Sequence, residues 1–520
     1  MTYLINLMRI VPVDNGKRLG LWMSKTGDQH LRSLQDGRAV YVNGKKVSDV
    51  TTNSAYRNAA RSIAGLYDFQ SHPENLELMT YETPEGGKRV NRSWQLPRSL
   101  EDLIARRKAL TAWAELHQGF MGRSPDHVAS TIAAMHMAQD LYAQYPGGKA
   151  GNIRDYYKYA RDNDLYLSYV IIDPQGDRSK GTSASGNADL AVSICDEDSE
   201  GITVRGAKML GTGAILSNEV LVTTLRPLSK GEEKYAFTAA VPVNAPGVKL
   251  MSRRSYEEAS SSTFDYPLAS RLDENDALLY FDDTKIPWDR VFVHRDVDLQ
   301  LAQWHVAPTH SYQNYQATIR LMVKLRFLVG LARKITEAIG TINFAPVREV
   351  LGELTSEVST IEACVYGMEA AGSYYGEYFM PNRDILYGAQ VNSQRLYSRV
   401  ITTIRELAGG GVLMLPSNIS DFDNPEIAHV ISRTQYSASG DPVERVKLFK
   451  LAWDALGSEF ASRHVQYEMF YSGPRAVTTG MAYRNFNWDQ ATGMVDRLMQ
   501  SYPSPKLAGA AGVLRTNAAE

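Results

Sequence analysis

The middle of the chain, from about Leu165 to Val293, has a pattern that differs from both of its flanks. Short apolar stretches there alternate with polar residues and are interrupted by Gly, Pro, Asn and Asp, which is typical of an antiparallel β barrel or sandwich. The expected strands are Ala191–Ile194, Gly201–Arg205, Val220–Thr224, Tyr235–Val243 and Ala277–Phe281. Because helical patterns precede and follow this region, the sequence predicts a helical, then β, then helical order.

Apolar residues recur at helical spacing on both sides of the predicted β region. Ser99 precedes a run with an apolar period of three to four residues, so we expect it to be an N-cap. A longer apolar stripe runs from Leu321 to Ile339, with Arg and Lys on its other side, and Gly340 ends it. Further helices are predicted near residues 348–374, 391–408 and 445–471, which favours a bundle.

These patterns divide the chain into five predicted segments. They are an N-terminal extension (1–25), a helical domain (26–162), a β domain (163–298), a helical bundle (299–497) and a C-terminal tail (498–520).

Composition excludes several classes of protein. The 520 residues carry a formal net charge of −2, so no basic excess draws the chain to nucleic acid or anionic lipid. Two cysteines, Cys195 and Cys364, are too few for a disulfide framework, a four-Cys zinc site or a Cys-ligated iron–sulfur cluster. There is no HExxH motif, and no apolar run has the roughly 18 residues that a spanning helix needs. We therefore expect a cytoplasmic protein without a metal centre.

One short segment combines residue types that suit catalysis. Pro125 follows Ser124 in the manner of a capped helix start, and Arg123 and His127 are four residues apart at that start. Arg can fix an anion and His can move protons near neutral pH. Taken alone, the residues favour the ordinary interpretation, which is a capped helix with a solvated Arg and a surface His.

Two other segments suggest contact with a ligand. The apolar run 166–172 ends in a polar turn that extends to Arg178, and its backbone amides could face a large polar ligand. The three glycines 409–411 follow a helix that needs only one for its C-cap, which indicates a close approach of the backbone to a ligand or another subunit.

Several sequence stretches, which follow one another in the order found in a known family, make the chain similar to that family. They are Leu34–Arg38 with Asp49–Thr52, Gly122–Asp126, Tyr266–Asp276, Ile286–Trp288 and Trp453–Phe460. From Thr26 to about Arg497 the chain resembles the oxygenase component of two-component, reduced-flavin-dependent aromatic monooxygenases, the 4-hydroxyphenylacetate 3-monooxygenase family with its chlorophenol-monooxygenase relatives. Residues 1–25 are outside this resemblance.

The resemblance implies an α+β, acyl-CoA-dehydrogenase-like fold with N-terminal helices, a middle antiparallel β-barrel and a C-terminal four-helix bundle. It implies a homotetramer that receives FADH2 from a separate NAD(P)H-flavin reductase. The flavin would react with O2 to form a C4a-hydroperoxide, which hydroxylates a phenol ortho to its hydroxyl group.

The resemblance also assigns candidate residues. Arg123 matches the family's substrate arginine, while His127 stands where Tyr is usual and Tyr169 stands where His is usual. These three residues are the catalytic candidates, with His127 either as the base for the phenol or as a polar wall of the pocket. Thr223 and Thr224 are further candidates for substrate contact. The cofactor-binding candidates are Tyr169, Val170, Ile171, Gln175, Gly176, Asp177, Arg178, Thr212 near flavin N5, Gly409, Gly410, Gly457, Ser458, Glu459 and Phe460.

Three alternatives remain. An acyl-CoA-dehydrogenase-like oxidoreductase would need a catalytic carboxylate over the flavin, and the sequence places none. The 4-hydroxybutyryl-CoA dehydratase branch needs three Cys around an iron–sulfur cluster, and only two are present. A non-catalytic scaffold of the same fold is the third alternative.

Overall fold

A computed structural model describes residues 24–176, 188–438 and 440–505. Its helices are α1 Gly27–Ser33, α2 Arg57–Ser71, α3 Leu76–Met79, α4 Leu100–Leu116, α5 Pro125–Met137, α6 Gln139–Ala143, α7 Ala150–Asp162, α8 Tyr256–Ala259, α9 Ala269–Leu272, α10 Val297–His305, α11 Thr309–Ala338, α12 Ala345–Ala370, α13 Arg383–Ala408, α14 Pro425–Thr434, α15 Pro442–Leu456, α16 Glu459–Phe470, α17 Arg475–Asn485 and α18 Trp488–Gln500. Residues 1–23 of the predicted extension and 506–520 of the predicted tail lie outside the described residues.

The strands are β1 Ala39–Val42, β2 Lys45–Lys46, β3 Thr80–Glu82, β4 Arg89–Asn91, β5 Leu167–Val170, β6 Ser193–Glu197, β7 Gly201–Thr212, β8 Glu219–Val222, β9 Phe237–Pro242, β10 Val248–Ser252, β11 Asp276–Pro287, β12 Val291–His294, β13 Ser373–Tyr375 and β14 Tyr378–Met380. Most of those in the middle region form two sheets, with strand orders β2-β1-β10-β11-β7-β6 and β12-β9-β8-β5. The helical, β, helical order predicted from the sequence is therefore confirmed.

The prediction of a purely antiparallel β region is wrong in two places. Strand β1 pairs with β10 in parallel, and β5 pairs with β8 in parallel. Parallel neighbours need a long connection, and both pairs have one: β1 comes from the region predicted to be helical, and β6 and β7 lie between β5 and β8. The second pair matters for the site, because it places residues after β5 beside residues after β8.

The predicted N-cap is confirmed at α4. The Ser99 side chain accepts a hydrogen bond from the backbone N–H of Asp102, which satisfies one of the free donors of the first turn. Gly340, with φ +76°, follows the end of α11 as predicted.

The helix predicted near residues 445–471 is two helices. α15 ends at Leu456, and Ser458 caps α16 by accepting a hydrogen bond from the N–H of Ala461. A Cβ atom on Gly457 would lie 2.4 Å from the Trp453 ring, so only glycine fits at this break.

The Arg and Lys residues of α11 are not all on a solvated face. Arg320 and Lys324 are both buried against α16, where the Glu468 carboxylate accepts hydrogen bonds from both. The apolar stripe alone could not indicate this, because the partner carboxylate lies 148 positions from Arg320. A buried ion pair of this kind ties α11 to α16 next to the candidate site.

Within the described residues, no helix combines the length and the hydrophobicity that crossing a membrane requires.

Candidate active site

Arg123 is a buried cation that has only neutral partners at its guanidinium group in the part of the chain that the structure describes. Nη1 donates to the Gly122 carbonyl at 3.3 Å and to the Tyr467 hydroxyl, and Nη2 donates to the Tyr471 carbonyl at 3.2 Å. The nearby Glu274 carboxylate accepts instead from the backbone N–H of Arg123, at 2.5 Å. The positive charge is thus held in place without being neutralised, so it can receive an anionic oxygen.

The segment around Arg123 is tightly packed. A Cβ atom on Gly122 would lie 2.3 Å from Cζ of Tyr467, so this glycine allows the two side chains to meet. Helix α5 begins at Pro125 with Ser124 at the N-cap position, as predicted. The Ser124 hydroxyl donates to the Asp126 carboxylate at 2.5 Å, however, and makes no capping hydrogen bond to a backbone N–H.

His127 lies in the first turn of α5 and is 1% exposed. Its Nδ1 atom is 2.8 Å from Oε1 of Gln316, and its Nε2 atom is 2.7 Å from Nε2 of Gln313. Burial, together with the nearby Arg123 guanidinium, holds the pKa of His127 well below its usual value. The ring is therefore neutral near pH 7. The ordinary interpretation, a solvated Arg with a surface His, is wrong for both residues because α5 is buried along its whole length.

The structure brings the three catalytic candidates together. The His127 and Tyr169 rings stack with centroids 5.6 Å apart, and Cζ of Arg123 lies 5.2 Å from the Tyr169 ring centroid. Tyr169 is the third residue of β5, and the packing of α5 against β5 creates the contact.

Thr212 ends β7 close to this cluster. Its carbonyl accepts from the Ser168 hydroxyl at 2.7 Å, which joins the end of β7 to β5. Its own hydroxyl donates to Oδ1 of Asp276 at 2.6 Å, and the hydroxyl oxygen accepts from Nη2 of Arg463 at 3.4 Å. Burial alone would raise the pKa of Asp276, but the Arg463 and Arg253 guanidinium groups hold it well below its usual value. Because Asp276 stays ionised, the Thr212 proton points toward it and an oxygen lone pair remains to accept a further hydrogen bond.

The turn predicted to contact flavin follows directly from β5. Val170 is buried and pairs with Val222, Ile171 is partly buried, and Gln175 and Gly176 are exposed. Two further members of the prediction, Asp177 and Arg178, lie outside the described residues.

The substrate candidates Thr223 and Thr224 are buried just after β8. The Thr223 N–H donates to the carbonyl of Val170, and its hydroxyl accepts from Gln300 at 2.8 Å. Gln300 also donates to the Thr224 carbonyl at 3.1 Å. The side chains that contact these two threonines are therefore neutral hydroxyl and amide groups.

The remaining cofactor candidates lie on the C-terminal helices. Gly409, with φ +58°, and Gly410 are exposed at the end of α13. In the 457–460 segment, only Glu459 is exposed, and it pairs with Arg254. Phe460 is buried against Phe120 and His464, and Ser458 is buried at its cap position. Within the described residues, no hydrogen bond or aromatic-ring contact joins these segments directly to Arg123.

Sequence reasoning missed four side chains that shape the site: Tyr467, Arg463, Gln313 and Gln316. Arg463 and Tyr467 are four residues apart on α16, just after the Trp453–Phe460 stretch, and this spacing could have suggested that they share a face. For Gln313 and Gln316 only their spacing of three along α11 was available.

Two β sheets between N-terminal helices and a C-terminal bundle define the acyl-CoA-dehydrogenase-like class of fold. A solved archaeal 4-hydroxybutyryl-CoA dehydratase from N. maritimus shares this fold at a TM-score of 0.83 and 21% identity, covering 94% of this chain and 98% of that one. Models of the N-terminal and C-terminal parts of 4-hydroxyphenylacetate 3-hydroxylase match residues 26–293 and 301–500. The chain belongs to the 4-hydroxyphenylacetate 3-hydroxylase family.

Two members of the family illustrate the similarity. The oxygenase component of 4-hydroxyphenylacetate 3-monooxygenase from Geobacillus sp. (strain PA-9) is 35% identical over 465 residues, which cover 88% of this chain and 93% of the relative. A crystal structure of the oxygenase component of 4-hydroxyphenylacetate 3-monooxygenase complexed with FAD matches with a TM-score of 0.87 and 31% identity. That match covers 92% of this chain and 99% of the other.

Proposed function

We propose that this protein is the oxygenase component of a two-component monooxygenase that uses reduced FAD and O2 to hydroxylate a phenol ortho to its hydroxyl group. Membership of the family supports the reaction class. The single observation that carries the proposal is the buried Arg123 guanidinium, which has neutral partners and lies 5.2 Å from the Tyr169 ring centroid.

Arg123 stabilises the phenolate form of the substrate. Electrophilic hydroxylation is faster on a phenolate than on a phenol, and a fixed cation in a dry site favours the ionised oxygen. Its hydrogen bonds to Tyr467 and Tyr471 hold the guanidinium in one orientation, so the enzyme does not reorganise when the anion arrives. The substrate ring then lies between Arg123 and the neutral groups around Thr223 and Thr224.

The residues around Thr212 fit a reduced flavin. When bound, reduced FAD would supply the two electrons that activate O2, one atom of which enters the substrate while the other leaves as water. The Thr212 hydroxyl donates a hydrogen bond to Asp276 and keeps a lone pair, so it can accept a hydrogen bond from an N–H donor such as flavin N5. Holding that proton in place, and excluding water from it, would limit the wasteful release of peroxide. Val170, Ile171, Gln175 and Gly176 form the adjoining edge at the end of β5.

Of the two proposed roles for His127, the hydrogen bonds favour the polar wall over the base. Both ring nitrogens already have partners, and a ring that is hard to protonate is a weak proton acceptor. Tyr169, stacked on His127, orients the substrate ring or the flavin.

The proposed homotetramer is supported by the last helix. α18 has no buried residue, and Met494, Val495, Leu498 and Met499 form an exposed apolar stripe along it. We propose that a second copy of the chain covers this stripe, and that Gly409 and Gly410 contact the FAD of a neighbouring subunit. A separate NAD(P)H-flavin reductase supplies FADH2, and two free cysteines are compatible with a cytoplasmic location.

A single-turnover assay tests the proposal. Reduced FAD is bound anaerobically, mixed with O2 and a panel of phenols, and both hydroxylated product and hydrogen peroxide are measured. Wild type is expected to form a catechol from at least one phenol. Arg123→Gln is expected to lose about 10²-fold or more in hydroxylation rate, as removal of a charge-stabilising donor typically does. Retention of the wild-type rate would overturn the role of Arg123. Tight binding of reduced FAD without product from any phenol would favour another flavin reaction, and no flavin binding would favour a scaffold.

A further inference from the structure

The two ring nitrogens of His127 are engaged by two amide side chains of one helix. Gln313 and Gln316 are three residues apart on α11. Both are buried, as are His127 and its neighbour Asp126. The contacts form a continuous chain in which Asp126 touches Gln316, Gln316 touches Nδ1 of His127, and Gln313 touches Nε2 at 2.7 Å.

The direction of each hydrogen bond follows from the acidic end of this chain. Ser124 donates to Oδ1 of Asp126 and Nε2 of Gln316 donates to Oδ2 at 3.0 Å, so both carboxyl oxygens act as acceptors. The other end of the Gln316 amide, Oε1, is an acceptor, so Nδ1 of His127 carries the proton that it receives. In a neutral imidazole Nε2 is then an acceptor, and the Gln313 amide N–H donates to it.

The surroundings of His127 reinforce this state. The charged groups that act on it are the Arg123 guanidinium, four residues before it on the chain, and Arg320 of α11, and both oppose a second positive charge. The Asp126 carboxylate reaches the ring only through the Gln316 amide, and the ring of Tyr169 covers one face.

We propose that Gln313 and Gln316 are positioning residues that hold His127 as a neutral imidazole, with its proton on Nδ1 and its Nε2 lone pair already engaged. Resting on the proposed function, this has a consequence for the reaction: Arg123 is the cation that meets the phenolic oxygen, and His127 presents a neutral ring beside it. The enzyme then takes phenols as phenolates, whose proton has passed to solvent and whose negative charge Arg123 stabilises.

The test reads the state of the ring directly. The full-length protein is prepared with ¹⁵N-labelled histidine and then saturated with unlabelled FAD. The ring nitrogens of His127 are followed by NMR from about pH 6 to about pH 9, across the usual histidine range. The His127 signals are identified by their loss in His127→Asn. Wild type should show a protonated Nδ1 and an unprotonated Nε2 at every pH.

Two matched variants separate donation from packing. Gln313→Glu replaces the donor by an acceptor at Nε2, so the ring should become protonated and its titration midpoint should rise by more than about one unit. Gln313→Leu removes the donor without adding charge, and the ring should stay neutral. Gln316→Leu removes the acceptor at Nδ1. The Gln313 amide can then turn its oxygen toward Nε2, so a fraction of the Nε2-protonated tautomer should appear.

Several results would overturn the proposal. A wild-type ring that titrates within the measured range, or that carries its proton on Nε2, would contradict it even if none of the Gln313 and Gln316 variants folded. Spectra of Gln313→Glu and Gln313→Leu that do not differ would also contradict it. Because these spectra need no turnover, a failure of hydroxylation in the phenol panel would count against the proposed function and leave this result unaffected.

Discussion

The hydroxyl group of Tyr467 accepts a hydrogen bond from Nη1 of Arg123, although the two residues are 344 positions apart. Three guanidinium groups also lie over the Tyr467 ring, those of Arg123, Arg320 and Arg463, at 5.1, 5.4 and 5.0 Å from its centroid. Tyr467 thus connects the start of α5 to the charged face of α16. Through this side chain the C-terminal bundle holds in place the Arg123 guanidinium, which is the proposed binding group for the substrate oxygen.

We expect Tyr467→Phe to separate the hydrogen bond of the Tyr467 hydroxyl from the cation–π contacts of its ring. The phenyl ring keeps the cation–π contacts, while the lost acceptor frees Nη1 of Arg123. A hydrogen bond to a charged group contributes about 1.5–3 kcal/mol, so the single-turnover hydroxylation rate should fall about tenfold or more while the melting temperature changes little. Tyr397→Phe is the matched control, because the Tyr397 hydroxyl is buried without a hydrogen-bond partner. Equal effects of the two substitutions would remove Tyr467 from the site.

Thr212→Val should release more hydrogen peroxide per turnover than wild type. The substitution keeps the volume of the side chain but removes the oxygen that Asp276 orients. Thr212→Ser keeps that oxygen and should behave as wild type does. Peroxide and product are measured together under single turnover, with Thr284→Val as the control for a buried threonine away from this cluster. An unchanged ratio of peroxide to product in Thr212→Val would exclude the proposed role.

The pH dependence of hydroxylation should follow the substrate. With a neutral His127 that does not titrate near pH 7, the rate rises with pH as the phenol ionises. Two phenols of different acidity should therefore give midpoints that differ in the order of their own pKa values, each lowered by the Arg123 charge. One common midpoint for both phenols, which is lost in His127→Asn, would instead identify His127 as the base.

Lys324 should make stability depend on pH in the alkaline range. Burial lowers the pKa of Lys324 to about 7, against 10.5 for the free side chain, although Glu468 acts in the opposite direction. Between these two values the unfolded chain binds more protons than the folded one, so stability should rise with pH over this window and be lowest at and below its acidic end. Thermal melts from about pH 7 to about pH 9.5 should show this rise in wild type and a flatter profile in Lys324→Met. Parallel profiles would contradict the assignment.

Leu498→Asp should dissociate the proposed oligomer. A charge in the apolar stripe of α18 would have to be buried against the second copy, which is costly without a partner. Gln500→Asp adds the same charge on the polar side of the helix and should leave the assembly intact. Light scattering at several protein concentrations distinguishes the two. If Leu498→Asp has the same mass as wild type, α18 is not the contact.

The sequence predicts those parts of the fold that depend on neighbours along the chain. Ser99 is recognisable as a cap because its partner is three residues away, and the apolar stripe of α11 because its period is local. It could not predict the parallel pairing of β1 with β10, which joins distant segments. Burial of Arg320 likewise depends on Glu468, a remote residue of another helix.

The candidate site shows the same division. Arg123, His127 and Tyr169 were predicted together through the resemblance, and the structure brings them into contact. The partners that decide how His127 behaves, Gln313 and Gln316, lie more than 180 positions along the chain, which no local pattern can reveal. The fold supplies the chemical state of the side chain, and the sequence supplies only its type.

The contact between Gly122 and Tyr467 limits how this enzyme can be redesigned. Because any side chain at position 122 would collide with the Tyr467 ring, a random library that varies this position would consist mainly of inactive members. Thr223 and Thr224 instead contact a side-chain amide, because Gln300 donates to the Thr223 hydroxyl and to the Thr224 carbonyl. Directed evolution toward a new phenol should therefore randomise Thr223 and Thr224 and keep Gly122 and Tyr467 unchanged in every library member.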